Sequence, residues 1–324
     1  MMPVKNISGT LTLALGLLFT DGSQAQIAGK PITMIVPVSP GTAVDTLARQ
    51  IQLRLSQKMS TTVVIDNRTG ASGAIGMSAV ARAAPDGNTL LVSPSTMAML
   101  NLTQKDLGWD AIADFQPVAR LANAPYAVVV TPSLPVNNIK ELLALARSKP
   151  GALNFASPGV GTPQHLVGEL FKQATGIDVV HVSYKTTAGA TTDLASGQVQ
   201  FGFQAIIAVL PLVKAGKLRI IATVTETRTP WTPEIPTLRE SGVDGVNINS
   251  WISVFLPKNT AREITERYSR EIASIMNLPE VKEELLKSGV VVNYAGPEEM
   301  GTVLRRDMGV WKKVIDDGRI VMTP

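Results

Sequence analysis

Phe155-Ala156-Ser157-Pro158-Gly159-Val160-Gly161-Thr162-Pro163-Gln164-His165-Leu166 sets a Ser-Pro-Gly turn between two regular elements of different period. It joins a short apolar run, Leu153 to Ala156, to a helical pattern, Leu166 to Ala174. An earlier stretch echoes it. Pro37-Val38-Ser39-Pro40-Gly41-Thr42-Ala43 follows the strand-like Ile32 to Val36 and opens onto Val44, Leu47, Ala48, Ile51 and Leu55 at helical spacing. Both place Ser-Pro-Gly between a strand end and a helix start. A glycine-rich turn there leaves backbone N–H groups open and aims a helix N-terminus above the sheet, which makes an anion site. Ligands of open α/β sheets bind outside the carboxyl ends of the strands. Two such turns in two lobes would face each other across a cleft. A third turn, Ser93-Pro94-Ser95-Thr96, adds hydroxyls on the first side. Each turn alone reads more readily as Gly and Pro punctuation; the recurrence favours ligand binding.

Short β-branched runs alternate with helical patterns outward from these turns. In the first series the strands are Ile32 to Val36, Val63 to Ile65 and Leu90 to Val92, with a helix from Ile75 to Ala83. The second starts at Val128 to Val130. A helix from Ile139 to Arg147 follows, opened by Asn137 or Asn138 and closed near Gly151. Further strands are Val179 to Val182 and Val199 to Phe203. The tail is helical: Ala261 to Met276, Pro279 to Lys287 and Pro297 to Ile315. The fold class is α/β with parallel βαβ units. Thr42 and Asp45 have capping-box spacing, so Asp45 reads as a structural cap rather than a ligand partner; Thr162 reads as an N-cap with Pro163 in the first helical position.

The first residues have the layout of a secretory signal peptide. One cation, Lys5, precedes an apolar run from Ile7 to Phe19, and Ser23-Gln24-Ala25 supplies small residues for cleavage near Ala25. That run is shorter than the roughly 20 residues of a spanning helix. Removing residues 1–25 from the 324 leaves enough chain for two lobes of ordinary size. Aromatic residues are only 5%, so the core is expected to consist mainly of Val, Leu, Ile and Ala. With no cysteine there is neither a disulfide nor thiolate chemistry. The charge of +4 is scattered, and Arg305-Arg306 and Lys312-Lys313 sit on an amphipathic helix, so no nucleic-acid surface is expected. The two histidines, His165 and His181, have no metal-ligand spacing, and no nucleophile elbow, phosphate loop or cofactor fingerprint is present. We expect no metal, no cofactor and no enzyme.

The 155–166 stretch, running on through Gly168-Glu169-Leu170-Phe171, resembles a hallmark of the Bug-type (TctC-like) extracytoplasmic receptors of tripartite tricarboxylate transporters. Further matches follow in order along the mature chain: Asp66-Asn67-Arg68-Thr69-Gly70-Ala71-Ser72-Gly73, Ala83-Ala84-Pro85-Asp86-Gly87, Val182-Ser183-Tyr184-Lys185, Ala195-Ser196-Gly197-Gln198-Val199, Lys214-Ala215-Gly216-Lys217-Leu218, Pro236-Thr237 and Trp251. The resemblance implies a two-lobed, type II-like periplasmic binding protein, each lobe a mostly parallel sheet flanked by helices, with two crossover strands. Residues 26–124 plus 252–324 would form lobe 1 and residues 125–251 lobe 2. It implies that loop amides grip a ligand carboxylate, placing Ser39, Gly41, Thr42, Ser157, Gly159, Gly161 and Thr162 in the site. Ser95, Thr96, Tyr184, Thr186 and Thr187 become candidates for reading the rest of the ligand. It favours capping or orienting the loop over general-base work for His165 and implies delivery of the ligand to permease subunits; a monomer is expected.

Three departures bear on specificity. Thr42 stands where the family usually has a second glycine; a β-branched residue disfavours positive φ, so the loop is expected to be reshaped or to offer a hydroxyl. Thr186-Thr187 replaces the usual glycine after Tyr-Lys. Gln204 replaces an aspartate that would suit a ligand ammonium, so a dicarboxylate or aromatic acid is expected over an amino acid or nicotinate-type ligand. Met97 and Met99 read either as helix core or as an adaptable apolar wall. A sensor presenting its closed form to a signalling partner is the alternative to transport.

Overall fold

The computed structural model describes residues 30–104, 106–246 and 250–317. The expected leader, 1–25, lies outside the described residues. The chain first lays down β1 (Ile32–Val36), α1 (Ala43–Met59), β2 (Val63–Asn67), α2 (Ala74–Ala81), β3 (Thr89–Pro94), α3 (Thr96–Thr103) and β4 (Phe115–Asn123). It crosses into β5 (Tyr126–Val130), α4 (Ile139–Ser148), β6 (Asn154–Ser157), α5 (Pro163–Thr175), β7 (Val180–Ser183), α6 (Thr187–Ser196), β8 (Phe201–Ala205), α7 (Ile206–Lys214) and β9 (Arg219–Thr223). It returns through β10 (Trp251–Pro257) to α8 (Arg262–Met276), α9 (Pro279–Lys287), β11 (Val291–Ala295) and α10 (Pro297–Asp317).

These strands form two sheets, ordered β11-β4-β10-β3-β1-β2 and β7-β6-β8-β5-β9. The βαβ units behave as expected: β1 pairs parallel with β2 and β3, and β6 parallel with β7 and β8. The sheets are nevertheless mixed rather than mostly parallel. Strand β10 runs antiparallel to β3 and β4, and β5 runs antiparallel to β8 and β9. The cause is the crossing itself: a strand arriving from the other lobe enters the sheet without a right-handed helical crossover to orient it. Only Ala124 and Pro125 separate β4 from β5, and Ala124 N–H donates to Ser250 O at 2.8 Å, tying the outgoing crossing to the returning one.

Each sheet buries both faces. Around β1 and β3 the core is aliphatic, with Leu47, Ile51 and Leu55 of α1 fully buried against it. The second lobe departs from the aliphatic expectation: Phe155, Phe171, Phe201 and Phe203 interlock, Phe171 meeting Phe203 edge-on at 5.6 Å. Helix α5 approaches β6 so closely that a Cβ on Gly168 would lie 2.1 Å from the Phe155 ring, so only glycine fits there.

Helix α10 belongs to both lobes. Its first turns bury Met300, Val303 and Leu304 against the first sheet. Midway, Asp307 accepts from Trp251 Nε1 at 2.9 Å, fastening the returning crossover strand. Its last turns bury Trp311 and Val314 in the aromatic core of the second lobe, and Gln173 of α5 donates to Val314 O at 3.1 Å. Replacing Trp311 by Ala should lower unfolding free energy by about 3–5 kcal/mol, the usual cost of deleting a buried indole. The urea midpoint of Trp311→Ala tests this; a midpoint equal to that of the wild type would show that the docking contributes no stability.

Candidate ligand-binding site

A cavity of about 620 Å³ opens where the two Ser-Pro-Gly turns face each other. The first lobe contributes Ser39, Thr42, Thr96 and Met99 to its wall; the second contributes Val160, Gly161, Thr162, Pro163 and Thr187. None of the lining residues among those described carries a charge. Its volume lies in the range of small-molecule sites. A hollow of about 560 Å³ on the outer face of the first lobe is a different kind of surface. Its Arg262 is paired with Glu266 and its Glu299 with Arg120 from outside the hollow, and its Glu298 has no ion pair among the described residues, so this surface is acidic.

The two turns handle their N–H groups differently in part. In the first, Asp45 and Thr42 bond part of the loop, and the N–H groups of Thr42, Ala43 and Val44 have no acceptor among the described residues. Gly41, at φ +80°, donates to the Asp45 carboxylate at 2.9 Å. The Thr42 hydroxyl donates to Ser39 O and accepts from Asp45 N–H. Thr42 sits at φ −73°, so the strain expected of a β-branched residue here does not arise; it is an ordinary N-cap. Asp45 is the structural cap that its spacing suggested, 1% exposed. Burial raises its pKa, but hydrogen bonds from Arg49, Gly41 and Asn67 outweigh this and hold it below the ordinary value.

In the second turn, the N-terminus of α5 stays open. Thr162 occupies the N-cap position and Pro163 the first helical one, as expected, yet the Thr162 hydroxyl caps nothing: it donates to Gly159 O at 2.7 Å. No acidic residue stands in the first turn of α5. Among the described residues, the N–H groups of Val160, Gln164 and His165 have no acceptor. Val160 lines the uncharged cavity, and Gln164 and His165 directly follow the lining residues Thr162 and Pro163, so unpaired donors at the positive end of a helix lie beside the cavity as an anion cradle would require. Gly159 and Gly161 shape the loop with φ of +149° and +76°, conformations reserved for glycine.

The expected site residues therefore separate. Ser39, Thr42, Thr96, Gly161, Thr162 and Thr187 line the cavity. Gly41 and Gly159 shape the loops from behind the wall. Ser157 is fully buried and braces its own loop, its hydroxyl bonded to Gly159 O, Gly159 N–H and His181 Nε2. Ser95 is buried against Ser250. The Tyr184 hydroxyl donates to Asp193 at 2.8 Å, and the Thr186 hydroxyl caps α6 by accepting from Gly189 N–H. Gln204 is fully buried on β8, away from the lining, and its amide N and O have no partner among the described residues. Met99 serves both of its readings, buried in core and facing the cavity, whereas Met97 is core alone. Sequence reasoning did not single out Val44, Leu100, Tyr126, Val160 and Gln104, which add apolar and amide surface to the wall. Aliphatic residues beside a loop carry no signal that separates cleft from core.

Behind the second turn, His165 and His181 stack with ring centroids 4.0 Å apart. Burial first, then the neighbouring His181 and Lys172, push His165 down from 6.5 to about 3. Burial and Lys172 push His181 down to about 4. Both are neutral in the fold, while the unfolded chain protonates them below about 6.5. Their contribution to stability is thus complete above pH 6.5 and declines as pH falls toward about 3 and 4. Thermal denaturation should show a falling midpoint from pH 7 to pH 5, and His181→Phe should flatten that fall. A midpoint independent of pH over this window would mean that the imidazoles charge freely in the fold.

The comparisons with known proteins bear on this geometry. The profile of the TctC family, described as the tripartite tricarboxylate transporter family receptor, matches residues 47–319. BugT of Bordetella pertussis is 31% identical over 288 residues, covering 88% of each chain. Among solved structures, R. palustris Rpa4515 with adipate superposes with a TM-score of 0.77 at 33% identity, over 90% of this chain and 98% of that one. MatC of Rhodopseudomonas palustris, with bound malate, superposes at 0.72 with 26% identity, over 88% and 98%. This chain belongs to the TctC family of tripartite tricarboxylate transporter receptors.

Proposed function

We propose that the chain is a periplasmic solute receptor that closes its two lobes around a small organic carboxylate and delivers it to the permease subunits of a tripartite transporter. The observation that carries this reading is the open N-terminus of α5, with three unpaired N–H donors beside an interlobe cavity that Val160, Gly161, Thr162 and Pro163 line. Residues 1–25 act as a cleaved export leader. The lobes divide at 124/125 and 251/252, with α10 shared between them. The protein binds and releases without catalysis and works as a monomer.

A carboxylate suits this cradle. A hydrogen bond to a charged group contributes about 1.5–3 kcal/mol net, so three supply roughly 5–9 kcal/mol before the costs of closure. Micromolar affinity, about −8 kcal/mol, lies within that range. The rest of the wall favours an uncharged ligand body: Met99, Leu100, Tyr126 and Val160 offer apolar surface. No described acid lines the cavity to meet an ammonium, so selection against amino acids rests on that absence and not on contact with the buried Gln204. Dicarboxylates such as adipate and aromatic acids such as benzoate and terephthalate are the candidates; adipate and malate are the ligands seen in the two solved relatives.

A thermal-shift panel of mono- and dicarboxylates, aromatic acids, amino acids and neutral sugars tests this. A ligand at 100 times its Kd stabilises by about 2.7 kcal/mol, so carboxylates alone should raise the midpoint by several degrees. Thr162→Val, which removes the brace on Gly159 O, should weaken the best carboxylate about tenfold or more. Ser39→Ala should weaken it less. A midpoint moved by sugars or amino acids but by no carboxylate would refute the assignment.

A further inference from the structure

We propose that His165 is the positioning residue that holds the second loop open for its ligand, with His181 as its stacked brace. This rests on reading the loop as the carboxylate cradle. Gly161 N–H, inside the cradle, does not point at the cavity; it donates to His165 Nδ1 at 3.1 Å. That bond fixes Gly161 at φ +76° and turns the neighbouring Val160 and α5 donors outward. An acceptor is needed because an amide buried without a partner costs more than the bond itself contributes.

The hydrogen bonds also define where the protons are. Gly161 N–H is a donor, so His165 Nδ1 is bare and its proton sits on Nε2, which lies 3.9 Å from the Glu169 carboxylate. Lys172, bonded to Glu169, is the other charged group at this face. Ser157 Oγ has one proton and three neighbours: Gly159 O at 3.0 Å, Gly159 N at 3.2 Å and His181 Nε2 at 2.7 Å. All three are satisfied only when Ser157 donates to Gly159 O and His181 donates through Nε2–H. The same Gly159 carbonyl receives the Thr162 hydroxyl. Both histidines are thus neutral Nε2–H tautomers, each anchoring one side of a loop whose two hinge residues are glycines. The Phe155 ring is nearly parallel to His165 at 6.4 Å and tilted against His181 at 4.9 Å, and packs against both imidazoles. A purely structural histidine would be replaceable by an apolar ring of similar size; a positioning histidine requires an acceptor at the δ position. Asparagine places its Oδ1 where Nδ1 now lies, whereas glutamine and leucine do not.

Long-range ¹⁵N–¹H spectra of the full chain at pH 7 should report Nε2–H at both rings, with Nδ1 of His165 unprotonated and hydrogen-bonded. Adipate and benzoate then serve as probes in titration calorimetry. His165→Asn should bind within about threefold of the wild type, while His165→Leu and His165→Gln should lose about tenfold or more. A His165 ring in the Nδ1–H form, or titrating near 6.5, would overturn the proposal, as would His165→Leu binding as tightly as the wild type. Should His165→Leu fail to fold, the Asn and Gln pair and the wild-type tautomers decide. Should neither probe bind the wild type, the carboxylate reading fails separately, and the tautomers with the Gly161 amide shift in His165→Asn still decide the anchoring role.

Discussion

The uncapped start of α5 is the constraint around which the site is arranged. Helices α1, α4 and α6 spend a first-turn N–H on a side-chain oxygen, through Thr42, Asn138 and Thr186. Helices α2, α3, α7, α8 and α9 have no side-chain cap, like α5, and among them α5 is the one whose start the second lobe brings to the interlobe cavity. In α5 the residue in the cap position turns its hydroxyl back to Gly159 O instead. The donors left over are costly in a dry setting and useful against an anion. The first loop differs in degree. Asp45, backed by Arg49 and Asn67, takes the Gly41 amide, while the Thr42, Ala43 and Val44 N–H groups at the start of α1 stay without an acceptor among the described residues.

The rest of the fold serves to bring the start of α5 and the first loop together. Two antiparallel crossings, tied by Ala124 and Ser250, let the lobes approach without breaking either sheet. Helix α10 limits the ways in which they do so. It is fastened to the first sheet, to Trp251 of the returning strand and to the aromatic core under α5. The far end of α5 is therefore anchored by α10, while its near end faces the cavity. A ligand that draws the second loop toward the first lobe pulls on a helix already strapped to both.

Much of this was legible in the sequence because the two Ser-Pro-Gly turns break strand and helix patterns at matching places. What was not legible has particular causes. Strand β10, Trp251 to Pro257, is a plain apolar run that periodicity cannot distinguish from a buried helix. Strand β4 contains Pro117 and Arg120, which argue against a sheet interior; Pro117 lies beside a register irregularity, and Arg120 reaches Asn293 and Glu299. Helix α6 is built from small residues and threonines without an apolar stripe. Tyr184, Ser157 and Gln204 have the chemistry of ligand partners, and each is placed by contacts from elsewhere in the lobe: Asp193, His181, and the packing around β8. Alternation along a strand gives the face of a residue and not whether that face is cleft or core.

Amide chemical shifts on titration of the ¹⁵N-labelled chain with adipate or benzoate show whether a carboxylate settles on the open end of α5 between the lobes. The largest displacements should fall on Val160, Gln164 and His165, with smaller ones at Ser39 and Thr42 across the cavity. Displacements confined to the outer hollow around Glu266 and Glu299, with the α5 amides unmoved, would contradict that placement.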